Sequence, residues 1–189
     1  MPTLESEIDT HGDTFQANTE FMQAAINEFR EIEGKVVAKE LAAKEKFVKR
    51  NKLLPRERLN RLLDAGTPFL ELMPLAGYKM HDDKDGSGAG GGVIAGIGYV
   101  EGVRTMVSVS NSAIKGGTIS PAGLEKSLRL QEIAQENKLP MMSLSESGGA
   151  NLNYATDVFV KGAKAFATQA RMSAMGLPQI TVVHGSATA

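Results

Sequence analysis

The sequence predicts an α/β protein with a largely parallel sheet, preceded by a helical N-terminal segment. Residues 93–183 alternate short apolar runs and helical periods in the order strand, strand, helix, strand, helix, strand. The apolar runs are nearly continuous, as in parallel strands that helices cover on both faces. Small and polar residues follow three of these runs, at the positions where parallel α/β folds bind ligands.

Length and composition indicate an ordinary globular protein. The 189 residues, 42% hydrophobic and 23% charged, suffice for one domain with a core. A formal net charge of −1 favours neither nucleic acid nor a membrane as a partner. The absence of cysteine excludes disulfides, cysteine metal sites and a cysteine nucleophile. With no apolar run near the roughly 18 residues of a membrane span and no signal-peptide pattern, we expect a cytoplasmic protein.

Charge divides the N-terminal third. Residues 1–34 hold eight acidic side chains and one basic one, whereas residues 35–61 hold ten Lys or Arg and three Glu. Apolar positions at helical spacing predict one long amphipathic helix from about Thr19 to Asn51. These positions are Phe21, Ala25, Phe29, Ile32, Val36 and Leu41. The basic half either contacts phosphates or is a solvated face packed on a partner or the core, and the second reading is favoured.

The next segments are shorter. A second helix begins at Pro55 and ends at Asp64-Ala-Gly66. Phe69–Leu72 follows as a short strand. Tyr78–Gly92 is a glycine-rich loop with three aspartates, Asp82, Asp83 and Asp85. Their spacing is that of an incomplete calcium loop without its final Glu, so a solvated loop is favoured over a metal site.

A hairpin opens the α/β region. Val93–Val100 and Val103–Ser110 are strand-like runs joined by the tight turn Glu101-Gly102. A helix from about Pro121 to Asn137 follows. Its predicted buried stripe is Leu124, Leu128, Leu130, Ile133 and Ala134.

The remaining elements follow the same order. Met141–Leu144 is a buried strand that ends at a polar turn, Ser145–Ser147, and at Gly148-Gly149. A helix runs from about Val158 to Met175, and Ile180–Val183 is a last buried strand. The predicted inward face of that helix is Phe159, Ala163, Phe166, Ala167 and Ala170.

Three small-residue strand exits should therefore line one crevice: Asn111–Thr118, Ser145–Ala150 and Gly185–Ala189. The paired glycines Gly148 and Gly149 matter most, because without Cβ atoms the backbone can approach a ligand closely. Their N–H groups can stabilise a developing negative oxygen, as in an oxyanion hole.

Conventional catalytic sets are absent from the sequence. There is no Gly-x-Ser-x-Gly motif, and Lys115-Gly-Gly-Thr118 lacks the glycine spacing of a phosphate-binding Walker loop. His184 ends a strand and could be a base, although a packed, hydrogen-bonded histidine is the favoured reading. Chemistry by backbone amides on an activated carbonyl fits this lack of a nucleophile.

An ordered set of motifs completes the pattern. The motifs are Arg56-Glu-Arg58 with Leu62-Leu-Asp64, Gly90-Gly-Gly92 with Gly96-Ile-Gly98, Lys115-Gly-Gly-Thr118, Ser147-Gly-Gly-Ala-Asn151, Gln169-Ala-Arg-Met-Ser173 with Pro178-Gln179, and Gly185-Ser-Ala-Thr-Ala189. Together they resemble the carboxyltransferase (β) subunit of biotin-dependent acyl-CoA carboxylases, in the methylcrotonoyl-, geranyl- and propionyl-CoA carboxylase branch.

The resemblance implies a crotonase-like (ClpP/crotonase) superhelix of ββα units, here truncated and preceded by N-terminal helices. It divides the chain into an N-terminal helical segment, 1–54, and an incomplete carboxyltransferase domain, 55–189. It makes Gly148 and Gly149 oxyanion donors. The residues on the CoA side would be Asn111, Ala113, Lys115, Gly116, Gly117 and Ala150, of which Lys115 is equally well read as a solvated loop lysine.

The resemblance also implies cofactors and partners. Carboxybiotin would sit on a separate biotin carboxylase/biotin carrier α subunit, acyl-CoA would be the substrate, and no metal is expected. The β subunits would form homo-oligomers, as dimers within a hexamer, without nucleic acid or membrane. The second oxyanion donor is expected directly after Ala189, so we expect this chain alone not to carboxylate.

Departures from the family pattern leave the acyl group open. They are Asn111-Ser-Ala-Ile114, Glu146 in place of an Asp, and Asn153-Tyr-Ala155. Two other functions remain: another crotonase-fold CoA enzyme, such as a hydratase or a biotin-dependent decarboxylase, and a non-catalytic fragment that binds a partner subunit.

Overall fold

A computed structural model describes residues 5–188 and contains five helices and five strands in these residues. The helices are α1 (Asp13–Ala42), α2 (Lys44–Lys49), α3 (Pro55–Leu62), α4 (Pro121–Glu136) and α5 (Ala155–Ala174). The strands are β1 (Leu70–Glu71), β2 (Val93–Val100), β3 (Val103–Ser110), β4 (Met141–Gly148) and β5 (Gln179–Thr188). None of the helices among these residues is long and apolar enough to cross a membrane.

The strands form one sheet in the order β1-β2-β3-β4-β5. β1, β2 and β3 pair antiparallel, whereas β3, β4 and β5 pair in parallel, which confirms the predicted order of elements. The hairpin turn is also confirmed, since Glu101 and Gly102 have φ of 50° and 74°. Both of their N–H groups donate to the Asp64 carboxylate, at 2.8 and 2.7 Å, so α3 and the hairpin are fixed together.

Each face of the sheet has its own apolar core. On one face α3 packs through Leu59 against β2, β3 and β4, with Ile94, Val107 and Leu144 buried there. On the other face, α4 and α5 contribute Leu130, Ala134 and Met172, which pack around Ala95 and Met106. Because successive residues of a strand point to opposite faces, nearly continuous apolar runs are what two covered faces require.

The N-terminal helix differs from its prediction. It begins at Asp13 and ends at Ala42, and the short α2 follows a break at Ala43, so one uninterrupted helix from Thr19 to Asn51 was wrong. Of the predicted stripe only Val36 is buried, while Phe21 is 76% exposed. The other buried residue of α1 is Glu40, whose carboxylate accepts hydrogen bonds from Arg56 and Asn111.

The face assigned to α5 was wrong. Phe166, predicted to point inward, is 75% exposed, and the buried residues are Val158, Thr168 and Met172. This other face packs against Leu124 and Leu128 of α4. The sequence offers two apolar faces on α5, and only one of them meets α4.

Both strand ends at the predicted crevice extend further than expected. β4 continues through Ser145–Ser147 to Gly148, so a polar turn there was wrong, and β5 continues to Thr188. The two strands remain paired, with an irregularity between Ser145 and Ser147. Ile180 and Val183 of β5 are exposed, so the last strand is not buried by the described residues. The final position of the third exit, Ala189, lies outside them.

Candidate functional site

The first two strand exits come into direct contact, as predicted. We name Asn111–Thr118 the first loop and Ser145–Ala150 the second loop. Gly117 packs so closely on the second loop that a Cβ there would lie 2.8 Å from the carbonyl oxygen of Glu146. At Gly148 a Cβ would lie 3.1 Å from the carbonyl oxygen of Gly116. Glycine is therefore required at position 117, whereas a side chain at position 148 would need the first loop to shift by a few tenths of an ångström.

Backbone hydrogen bonds continue this contact beyond the glycines. Ile119 N–H donates to the Gly149 carbonyl at 2.9 Å, and Asn151 N–H donates to the Ile119 carbonyl at 3.0 Å. Ile119 and Ala150 thus form a parallel bridge outside the main sheet. Ala150, predicted on the CoA side, is half-buried in this bridge. The third exit joins through Ser147, whose Oγ lies 3.3 Å from the Thr188 carbonyl.

The two predicted oxyanion donors have different environments. Gly148 is the last residue of β4 and pairs with Thr188 in the sheet. Gly149 follows the strand with φ of 90°, a conformation that favours glycine. Its N–H donates to the Ser147 Oγ at 3.0 Å. The Gly149 amide thus already points at an oxygen atom, and a substrate oxygen would have to replace that hydroxyl.

A cavity of about 410 Å³ lies beside these groups, between the sheet and the α4–α5 layer. Hydroxyl groups at every second position of β3 and β4 line it. These residues are Ser108, Ser110, Ser143, Ser145 and Ser147. Gly117 and Thr118 of the first loop also line it, so the cavity reaches the contact between the loops. This cavity was not predicted, although the period-two serines signal a polar strand face.

Lys115 lies at the outer edge of the first loop and is exposed. Its Nζ is 3.2 Å from the carboxylate of Asp82, which also accepts hydrogen bonds from Asn151 and from the Tyr154 hydroxyl. The hydrogen bonds from Lys115 and then Tyr154 hold the pKa of Asp82 below its ordinary value. One aspartate of the glycine-rich loop thereby connects the first loop to the segment after the second.

The remaining aspartates of that loop also serve as acceptors. Asp83 accepts the N–H groups of Lys79 and Gly88, and Asp85 accepts from Ser87. Residues 5–188 contain no group of three or more His, Cys, Asp or Glu side chains placed to hold a metal ion. The aspartates therefore order the loop by accepting hydrogen bonds.

Asn111 does not face the loop surface. It is buried, and its Nδ2 donates to Glu40 Oε2 of α1 at 3.4 Å. Glu40 Oε1 accepts the Arg56 backbone N–H at 2.9 Å, and the Arg56 guanidinium makes a bidentate pair with Glu71. A role in CoA binding for Asn111 would thus act through the loop backbone. Ala113 is half-buried and Gly116 is exposed.

The fold should be destabilised less when position 40 loses only its charge than when it also loses its hydrogen-bond acceptors. Burial raises the pKa of Glu40, despite the Arg56 contacts that lower it. For a carboxyl group with a raised folded pKa, stability is lost as the pH rises from the unfolded value through the folded one. We expect Glu40→Gln, which keeps an oxygen for the Arg56 N–H, to be more stable at pH 8 than Glu40→Ala, which should lose about 1–3 kcal/mol for each donor left unpaired.

Urea unfolding at pH 5 and pH 8 tests this expectation. The stability of Glu40→Gln relative to the parent should improve between the two values, whereas the defect of Glu40→Ala should persist at both. Equal damage by both substitutions would show that one acceptor oxygen at position 40 is not enough to hold Arg56 and Asn111.

Glu146 joins the N-terminal segment to the loops. Its carboxylate accepts hydrogen bonds from Lys52 and from Ser112 Oγ, the latter at 2.9 Å. A Cβ on Gly185 would lie 2.8 Å from the carboxyl carbon of Glu146, so β5 also packs directly against this side chain. Burial alone would raise the pKa of Glu146, but the hydrogen bonds from Lys52 and Ser112 outweigh it and hold the pKa below the ordinary value.

His184 is a packed residue in this cluster. Its Nδ1 lies 3.8 Å from Glu146, and neither ring nitrogen has a hydrogen-bond partner among the described residues. Packing was expected correctly, but the expected hydrogen bond is not formed by residues 5–188. Burial, followed by the nearby charge of Arg58, lowers the pKa of His184.

Comparison with known proteins identifies the family of this chain. The carboxyl transferase domain family matches residues 46–189. A probable mitochondrial methylcrotonoyl-CoA carboxylase beta chain of Drosophila melanogaster is 42% identical over 98% of this chain and 32% of its own length. The biotin-dependent 3-methylcrotonyl-coenzyme A carboxylase beta1 subunit of Mycobacterium tuberculosis is 46% identical over 78% of this chain and 28% of its own.

Solved structures agree with the sequence relatives. The beta subunit of P. aeruginosa geranyl-CoA carboxylase is 64% identical over the whole of this chain, covers 35% of its own length and superposes with a TM-score of 0.91. Transcarboxylase 12S, 24% identical over 87% of this chain and 32% of its own, shares the fold with a TM-score of 0.72. The chain spans about a third of the length of the relatives it matches. With its family profile, its relatives and its crotonase-like fold in agreement, the chain belongs to the carboxyl transferase domain family.

Proposed function

We propose that this chain forms the acyl-CoA side of the carboxyltransferase (β) subunit of a biotin-dependent acyl-CoA carboxylase. One observation carries the proposal. The Gly149 N–H points at the Oγ of Ser147, 3.0 Å away, and Ser147 is one of the residues that line a cavity of about 410 Å³. This volume is within the range of small-ligand sites. A thioester oxygen in place of the hydroxyl would be held where enolate charge develops.

The proposed reaction has two steps. A base removes a proton from the acyl chain, which leaves an enolate whose oxygen Gly148 and Gly149 stabilise. The bond between the biotin nitrogen and the carboxyl carbon would then be exchanged for a bond to the enolate carbon, and that nitrogen would take a proton. Biotin supplies the activated carboxyl group on a partner subunit, and no residue in 5–188 is assigned to it. The names of the relatives favour a short or branched substrate such as 3-methylcrotonyl-CoA or geranyl-CoA.

The position of Glu146 argues against a hydratase. A hydratase needs a carboxylate free to activate water above the acyl carbon. Glu146 is the acid within the second loop, but Lys52 and Ser112 engage its oxygens. Glu146 borders the serine-lined cavity, but its carboxylate is occupied by these two contacts and packs against Gly185.

The test uses a chimeric subunit in which residues 1–189 replace the matched third of the P. aeruginosa geranyl-CoA carboxylase beta subunit. With ATP, bicarbonate and the biotin-carrying partner, we expect carboxylation of 3-methylcrotonyl-CoA or geranyl-CoA. The 189-residue chain alone should bind acyl-CoA without carboxylating it. A folded, assembled chimera that carboxylates neither substrate, or that hydrates an enoyl-CoA instead, would contradict the proposal.

The domain division, assembly and compartment are further parts of the proposal. Residues 1–54 would form a helical segment that meets a partner subunit, and residues 55–189 the start of the carboxyltransferase domain. Exposed apolar side chains on α1 and α5, such as Phe21 and Phe166, support contacts with other protein surfaces. The crystal structure of transcarboxylase 12S, which shares this fold, is described as a hexamer assembly. A hexameric assembly is consistent with β subunits that form dimers within a hexamer. Cytoplasmic location stays a prediction, and the D. melanogaster relative is named mitochondrial.

A further inference from the structure

Lys126 is a lysine of α4 that lies almost wholly inside the protein. It is 2% exposed, and its Nζ donates hydrogen bonds to the carbonyl oxygens of Gly90 and Val93, at 3.3 and 2.6 Å. Burial lowers the pKa of Lys126 to about 8, while Glu71 attracts its charge and Arg56 repels it from a distance. A buried charge is costly unless other groups compensate for it, so a lysine in this position indicates a specific role.

The two carbonyls belong to the beginning of a turn made of glycine and to the residue that follows it. We name Gly90–Gly92 the glycine turn; its three residues have φ of 90°, 66° and 74°. Because the turn has no side chains to pack, other groups can hold it only through its backbone. Gly91 lies so close to the first turn of α4 that a Cβ there would be 2.7 Å from the Cα of Gly123. The Lys126 ammonium thus holds the glycine turn against the helix that it already touches.

The glycine turn connects this ammonium to the first loop. The Gly92 carbonyl accepts the N–H of Asn111, the first residue of that loop, at 2.8 Å. Gly91 and Gly92 also line the serine-lined cavity, together with Thr118 at the other end of the loop. Movement of the glycine turn would therefore move the loop on which the contact with the second loop depends.

We propose that Lys126 is a positioning residue of the carboxyltransferase site, whose buried ammonium holds the glycine turn and, through it, the beginning of the first loop. The inference rests on the proposed function, because the first loop contacts the strand end that carries the Gly149 amide. An apolar side chain of the same length would leave two backbone carbonyls without this donor. The glycine turn would then shift away from α4, and the first loop would follow it.

Kinetics of the chimeric subunit at pH 7 test this role with Lys126→Met, which removes the ammonium and keeps most of the side chain. The matched control is Arg129→Met, which removes the same charge from the same helix, where the guanidinium is exposed and pairs with Glu132. We expect Lys126→Met to lower kcat by about 10- to 100-fold, the effect of a lost hydrogen bond to a charged group. The KM for acyl-CoA should change by less than about threefold, because an oxyanion donor acts mainly in the transition state. The control should keep the parental values, and a folded, assembled Lys126→Met subunit with parental kcat overturns the proposal.

Hydrogen exchange on the 189-residue chain gives a readout that a loss of stability alone would not produce. The Asn111 N–H donates to the Gly92 carbonyl, whereas the Met106 N–H donates to the Pro140 carbonyl, outside the turn and the loop. We expect Lys126→Met to accelerate exchange at Asn111 about 10-fold more than at Met106, since local opening exposes only the amides of the segment that opens. Equal acceleration at both would assign Lys126 to the general stability of the sheet and overturns the proposal. An inactive parent chimera contradicts the proposed function, while this exchange experiment still decides the role of Lys126.

Chemical rescue covers the case in which Lys126→Met does not fold. Lys126 borders an open cavity of about 850 Å³, through which a small amine can reach the space that Lys126→Ala leaves. Propylammonium replaces the atoms that alanine lacks, and propan-1-ol has nearly the same shape without the charge. We expect kcat of Lys126→Ala to be at least about 10-fold higher with propylammonium than with propan-1-ol. Equal kcat with the two additives overturns the proposal.

Discussion

Gly117→Ala is expected to lower kcat of the chimeric subunit by about 100- to 1,000-fold, the cost of one displaced oxyanion donor. The added Cβ would lie 2.8 Å from the Glu146 carbonyl oxygen, and the residue would keep a φ of 78° that disfavours a side chain. The obstructing atom is backbone, so no side-chain rotation relieves the contact. The two loops must separate, and the Gly149 N–H moves with the second loop.

The matched control for this substitution is Gly34→Ala. Gly34 lies within α1, and nothing lies within 4 Å of the position that its Cβ would take. Alanine is the better helix former, so this change should add about 0.5–1 kcal/mol of stability and leave kcat unaltered. A folded Gly117→Ala subunit with parental kcat would show that the contact between the loops does not position the donor.

The convergence of the two loops could be predicted from sequence because it depends on local signals alone. Apolar runs fixed the strands, the Glu101-Gly102 turn fixed the hairpin, and parallel pairing brings strand ends to one edge. Periodicity was less informative for α5, where Phe166 and Met172 both fit a helical stripe. Choosing between them requires the position of α4, which no local pattern contains.

The role of the N-terminal segment in the site could not be foreseen for a related reason. Its basic half was read from composition as a face for phosphates or partners. In the structure, Glu40 reaches Asn111 across 71 residues and Lys52 reaches Glu146 across 94. A single polar pair at such a separation leaves no periodic trace in the sequence. The helical segment thereby holds the beginning of both loops.

Glu146→Ala is expected to lower the free energy of unfolding by about 3–5 kcal/mol, because it breaks a largely buried ion pair from one side. The Glu146 side chain is 10% exposed and that of Lys52 is 25% exposed. Without the carboxylate, the Lys52 ammonium and the Ser112 hydroxyl lose their shared acceptor, and a void opens beside Gly185. Chemical denaturation at pH 7 measures the loss.

Two further substitutions show whether position rather than charge decides this loss. Glu125→Ala removes a carboxylate from an exposed pair with Lys161 and should cost less than about 1 kcal/mol. Glu146→Gln keeps an acceptor for Ser112 and should fall between the two. Because the folded pKa of Glu146 is lowered, its charge stabilises the fold above the ordinary carboxyl pKa, and that contribution disappears as the pH falls through the folded value.

The difference between Glu146→Gln and the parent should therefore shrink as the pH is lowered from 7 towards 3. A pH-independent difference would assign the loss to packing around Gly185 and not to the ion pair. A Glu146→Ala chain no less stable than Glu125→Ala would mean that Lys52 finds water when the carboxylate is removed. In that event the N-terminal segment would hold the second loop by apolar contacts alone.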